Sequence, residues 1–125
     1  MSVTQRVPPE LQQLMVKYQQ IENQLAAVIT EKNVVLSEIT EINRALDLLN
    51  SIEEGTDIFK NAGLIMVKVK KDDVVKELTD RKEFLELKLK SIEKNEQILR
   101  KQLDETRSKI NEYASRVYGA AGKAG

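Results

Sequence analysis

The chain has 125 residues, which favours one domain, and its 20 Lys and Arg balance 20 Asp and Glu. A neutral chain has no net pull on nucleic-acid phosphates, and without Cys or His it lacks disulfides, thiolate or imidazole chemistry and ordinary zinc ligands. Charged residues make up 32% and aromatics 4%, which suits long solvated helices better than a wide globular core.

The stretch Met1 to Arg6 has no apolar run of the secretory kind. The longest unbroken apolar run, Leu25 to Ile29, falls far short of the roughly 20 residues a membrane span needs. The sequence therefore predicts a cytoplasmic protein with no membrane and no nucleic-acid partner.

Val7-Pro8-Pro9-Glu10 reads as a helix start, because proline tolerates the first turn and Glu10 complements the positive end of the dipole. Steps of three and four in alternation then land on Leu11, Leu14, Tyr18, Ile21, Leu25, Val28, Lys32, Val35, Ile39, Ile42, Leu46 and Leu49. Only Lys32 is out of character. A spacing of 3.5 drifts by roughly 20° per heptad against a straight helix, so the stripe must supercoil around a partner to stay buried. A helix over about 9–53 is expected, with Gly55 as a left-handed cap residue.

The period then changes. Ile58-Phe59-Lys60, Asn61-Ala62-Gly63 and Leu64 to Lys70 read as strand, turn and strand, a β-hairpin over about 57–70. Leu64 to Val67 is apolar on both faces. A lone hairpin is marginal and its open edges invite more strands. Two readings follow: the apolar residues fold back on the helices, or hairpins of several subunits join in a shared sheet or barrel. The second is preferred, which makes Ile58, Phe59, Leu64, Ile65, Met66, Val67 and Val69 the candidate oligomerisation residues.

Asp72-Asp73 is placed to cap a second helix over about 73–118, followed by a flexible tail over 119–125. Its stripe runs Val75, Leu78, Lys82, Leu85, Leu89, Ile92, Glu96, Leu99, Leu103, Thr106, Ile110, Tyr113 and Val117. Two helices of similar length around a short insert should pair antiparallel, with Leu46 beside Leu78, Ile39 beside Leu85, Leu25 beside Leu99 and Leu14 beside Ile110. In that register Lys32 and Glu96 come within a turn of each other, and Lys82 looks toward Glu38 or Glu41. These long side chains either pair, fixing the alignment, or run out to solvent. The expected fold is mainly α: a single domain, 1–125, forming a long antiparallel two-helix coiled-coil hairpin. Its one central β-hairpin assembles into an intersubunit β-barrel.

Some apolar residues fall off the stripes. Val34, Leu36, Leu48, Phe84 and Leu87 lie toward the hairpin, where neighbouring subunits could cover them. Val7, Met15, Val16 and Tyr118 lie toward the free ends. No phosphate loop, nucleophile elbow or metal-ligand cluster occurs, so no enzyme, cofactor or metal is expected. The carboxylates of Glu53-Glu54 and Asp72-Asp73 read as helix-end and solvated groups. Lys68-x-Lys70-Lys71 reads as the polar exit of a strand before it reads as a phosphate site.

Asp57-Ile58-Phe59-Lys60-Asn61-Ala62-Gly63, running into Leu64-Ile65-Met66-Val67-Lys68-Val69 between two heptad arms, resembles the beta type of prefoldin subunit. Pro8-Pro9-Glu10-Leu11-Gln12, Lys76-Glu77-Leu78 and Asp80-Arg81-Lys82-Glu83 resemble archaeal members, and the likeness covers essentially the whole chain. A single strand hairpin fits the beta type rather than the alpha type, which carries two. The resemblance implies a hexamer of two alpha-type and four beta-type subunits, held by β-barrels, that grips non-native polypeptides without ATP and passes them to a group II chaperonin. Carried over by position alone, Val7, Leu11, Leu14 and Met15 with Tyr113, Val117 and Tyr118 would form the client-binding tip. The alternative is a coiled-coil scaffold or adaptor that recognises one folded partner along its helix faces.

Overall fold

A computed structural model describes residues 7–119; the expected flexible tail lies, from residue 120 onward, outside the described residues. In chain order the elements are helix α1 (Pro9–Ser51), strands β1 (Ile58–Ala62) and β2 (Ile65–Val69), helix α2 (Lys71–Ala114) and a π-helical turn (Ser115–Gly119). The described residues divide into two compact units: a terminal unit of residues 7–30 and 93–119, and a hairpin unit of residues 31–92.

Helix α1 begins where the prolines allow. The Gln12 amide donates to the Pro8 carbonyl at 3.0 Å, so Pro9 fills the first helical position, where its missing N–H costs nothing. The helix ends at Ser51, two residues before the expected boundary, with the Ser51 hydroxyl donating to the Leu48 carbonyl at 2.8 Å. Gly55 does not cap it. It sits at φ 83° in a separate turn in which the Thr56 amide donates to Glu53 O at 3.2 Å, at the position where a type II turn needs positive φ.

Helix α2 starts at Lys71, earlier than expected. The Val74 amide donates to the Lys70 carbonyl at 3.1 Å, so Asp72 and Asp73 lie inside the first turn and face its dipole instead of capping it. At the other end the α-helix stops at Ala114, and the next five residues wind as a π-helix. A π turn breaks the 3.5-residue period, and Val117, expected on the stripe, is exposed.

In the terminal unit, Ile21, Leu25 and Leu99 form a buried cluster with Val28, Ile29 and Leu103 packed against it. The expected meeting of Leu25 and Leu99 is therefore observed. The two polar residues buried in this unit are satisfied locally. Glu96, 9% exposed, accepts from Arg100 Nε at 2.9 Å, and the Thr106 hydroxyl donates to the Gln102 carbonyl at 2.7 Å. Glu96 and Lys32 each make a further interaction.

In the hairpin unit, Val35, Ile42, Leu49, Leu85 and Ile92 are buried. Leu85, at 2% exposed, is the most deeply buried side chain described. Ion pairs run along the flank of this seam: Arg81 donates to both oxygens of Glu38 at 3.0 and 3.2 Å, and Lys88 Nζ lies 3.9 Å from Glu31. Numbers falling on one helix as they rise on the other mark an antiparallel pair. Lys82 does not take Glu38 or Glu41; it lies 4.0 Å from Glu86 on its own helix. A seam residue points along the interface, whereas its neighbour Arg81 stands at the flank and can reach across.

Candidate interaction surfaces

The hairpin is a two-stranded antiparallel sheet with Ile58 opposite Val69, Phe59 opposite Lys68, Lys60 opposite Val67, Asn61 opposite Met66 and Ala62 opposite Ile65. The connection is therefore the two-residue loop Gly63-Leu64, and not Asn61-Ala62-Gly63. Gly63 takes φ 69° while no other residue of the loop has positive φ, the pattern of a type II′ turn, whose twist suits a hairpin. Leu64 is thus a loop residue, fully exposed, where a strand position was expected.

Side chains alternate across this ribbon. Ile58, Ala62, Ile65, Val67 and Val69 share one face with Lys60, while Phe59 and Met66 share the other with Asn61 and Lys68. Ile58 and Val69 are half-buried, but Phe59, Leu64, Ile65, Met66 and Val67 are exposed, Met66 at 69%. The hairpin does not fold its apolar residues onto its own helices. Each strand also keeps one outer edge unpaired, since the sheet has only two strands. Two ion pairs hold the ribbon in place: Lys60 Nζ to Glu77 at 2.6 Å, and Lys68 Nζ to Asp57 at 3.1 Å. Both are exposed, so they orient more than they stabilise.

A second set of apolar groups lies in the terminal unit. Met15, Val16, Val117 and Tyr118 are exposed. Val7, Leu14 and Tyr113 are half-buried. Leu11 is only 6% exposed and acts as packing beneath this region. Aromatic rings here carry guanidinium partners: Arg116 stands 5.6 Å from the Tyr113 ring centre and Arg107 stands 5.8 Å from that of Tyr18. Arg107 also donates to the Tyr18 hydroxyl at 3.0 Å, and that bond, with the charge of nearby Asp104 and Glu22, raises its pKa above the ordinary arginine value.

Residues the sequence did not single out also stand exposed. Ile98 is one. Phe84, already named as an apolar residue off the stripe, is exposed and carries the Arg81 guanidinium 5.4 Å from its ring centre, the same guanidinium that grips Glu38. Ile98 has no periodic signal because it, too, lies off the stripe of α2.

The comparisons with known proteins agree with one another. The family model described as "Prefoldin subunit" matches residues 12–116. The chain belongs to the prefoldin family. Prefoldin is a chaperone family. Among its members, "Prefoldin subunit beta" of Sulfurisphaera tokodaii is 44% identical over 98% of this chain and 98% of its own length. The Sulfolobus acidocaldarius prefoldin of the same name is 45% identical over 98% of this chain and 100% of its own. Among solved structures, the prefoldin beta subunit of Thermococcus strain KS-1 matches with a TM-score of 0.80 and 32% identity, covering 86% of this chain and 94% of that one. The beta-type reading drawn from the single hairpin agrees with these prefoldins. No described helix is long and apolar enough to cross a membrane.

Proposed function

We propose that this chain is the beta-type subunit of a cytoplasmic, ATP-independent holdase: it binds non-native proteins at the free ends of its helices and delivers them to a group II chaperonin. The observation that carries the reading is near-full-length likeness, at 44% identity, to a protein named as a prefoldin beta subunit. The exposed hairpin supports the assembly half. Ile65, Met66 and Val67 present apolar side chains beside open strand edges, and added strands from neighbouring hairpins would satisfy both. At roughly 1.5–3 kcal/mol for each fully buried side chain, a few such residues per subunit suffice to hold a complex. Four beta-type and two alpha-type subunits joined through barrels of this kind form the proposed particle.

Exposure of Met15, Val117 and Tyr118 supports the client half. Methionine's flexible thioether adapts to varied apolar surfaces. One end alone offers too little area for firm binding, so several ends acting on one client supply the affinity through multivalency.

The test is aggregation of a chemically denatured client diluted into the complex formed with an alpha-type partner, without nucleotide. Suppressed aggregation is expected, weakened by Met15→Ser with Tyr118→Ser while the mass of the complex stays the same. A complex that ignores unfolded chains and instead binds one folded protein along its helix flanks would replace this reading with that of an adaptor.

A further inference from the structure

The β-ribbon is attached to the two helices unevenly. Residues 52–57 separate β1 from α1, whereas β2 passes into α2 through the single residue Lys70. The Lys70 carbonyl accepts from the Val74 amide at 3.1 Å and so already belongs to the helix. The few backbone torsions between Val69 and Lys71 are therefore the hinge about which the ribbon turns on α2.

One ion pair crosses that hinge. Lys60, on the strand with no direct link to α2, reaches Glu77 near the start of α2 at 2.6 Å. The Lys68–Asp57 pair joins β2 to the residue before β1 and closes only the base of the ribbon. Exposure shows how the ribbon sits. On the face that carries Lys60, Ile58 and Val69 at the base are half-buried, Val67 is 43% exposed and Ile65, beside the loop, 64%. On the other face Phe59, next to the base, is already 55% exposed. The Lys60 face is thus turned toward the helices of its own unit, and the face of Phe59 and Met66 away from them.

The angle matters because strand pairing tolerates little error. A five-residue strand extends about 16 Å, so a swing of about 20° at its base carries the loop about 6 Å, more than the roughly 4.8 Å between paired strands. A ribbon that swings must also be ordered when a neighbour joins it, and one already held in place loses less on joining.

We propose that Lys60 and Glu77 are positioning residues for subunit assembly: their ion pair latches the ribbon about its hinge at Lys70 and presents the Phe59–Met66 face and the open strand edges to neighbouring hairpins at a fixed angle. Both side chains are exposed, so the pair adds little to the stability of the chain itself. Its effect falls on assembly, where several hairpins must be seated in one particle and a small deficit in each is multiplied. The inference rests on the assembly half of the proposed function and adds the residues that set the angle of the hairpin.

The experiment titrates the full chain with an alpha-type partner and follows the mass of the complex. Lys60→Glu and Glu77→Lys each bring like charges together, and the two combined restore an ion pair in reverse. Lys76→Glu, at an exposed residue next to Glu77, controls for charge alone. Each single latch variant is expected to need about tenfold more partner for half-assembly, the double variant to recover to within about threefold of the parent, and Lys76→Glu to match the parent. The urea midpoint of the helical signal should stay at the parent's value in all four. Spin labels attached through Leu64→Cys and Asp80→Cys, the only cysteines in the chain, should report a narrow distance distribution in the parent background, a broad one with either single latch variant and a narrow one with the double. Single variants that assemble as the parent does, a double variant no better than the singles, or an unchanged distance distribution overturns the proposal. So does a fall in the urea midpoint of the single variants, which would make the pair a support of the fold. If the parent stays monomeric beside the partner, the assembly reading fails and takes this one with it; a parent that assembles with indifferent latch variants sinks this one alone.

Discussion

The seam between the helices and the hairpin at their bend are both rich in large apolar residues, yet they meet opposite fates. Along the seam, residues such as Val35, Leu85 and Leu99 find cover inside the chain. On the hairpin, Phe59, Ile65 and Met66 do not. The difference is one of partners. In each unit a stretch of α1 has a stretch of α2 to pack on, and a stripe repeating every 3.5 residues fits that partner. Two strands make only one ladder, with two faces and two edges left over. The same kind of residue therefore makes a core in one place and stands open to solvent in the other.

Single substitutions can break or sharpen that contrast. Leu85→Ala should cost the isolated chain about 3 kcal/mol, read as a lower urea midpoint of its helical signal, because the cavity forms in packed surroundings. Ile65→Ser, in the same unit, should leave that midpoint nearly unchanged, within about 0.5 kcal/mol, and act on assembly instead. Equal losses from the two would erase the distinction.

Gly63→Val comes next, at about 1–2 kcal/mol, since a β-branched residue is forced to positive φ. Faster hydrogen exchange across the hairpin, with the helices unaffected, is the expected signature. Smallest is the Glu38–Arg81 pair. A double-mutant cycle should return about 0.5 kcal/mol, shrinking as salt rises, since both side chains are well exposed.

The helices were legible because burial repeats at a fixed period, and one expected pair, Leu25 and Leu99, meets where the spacing put it. The hairpin was legible as a change of period, but its turn was misplaced. Gly63 marks a positive φ without saying on which side of it the loop lies, and here Leu64, which reads as strand, completes the loop. The choice of Arg81 over Lys82 for Glu38 depends on flank geometry that a list of seam residues does not carry. At the free ends, Leu11 and Met15 look alike as apolar residues, and only packing separates the covered one from the open one. The π-helical turn that turns Val117 outward has no sequence signal at all.

The proposal that other subunits finish the hairpin is tested by mass in solution with an alpha-type partner present. A stable multi-chain particle is expected for the parent chain. For Ile65→Ser, Met66→Ser and Val67→Ser combined, a helical monomer is expected. A parent chain that stays monomeric beside the partner, or a serine variant that assembles equally well, would contradict it.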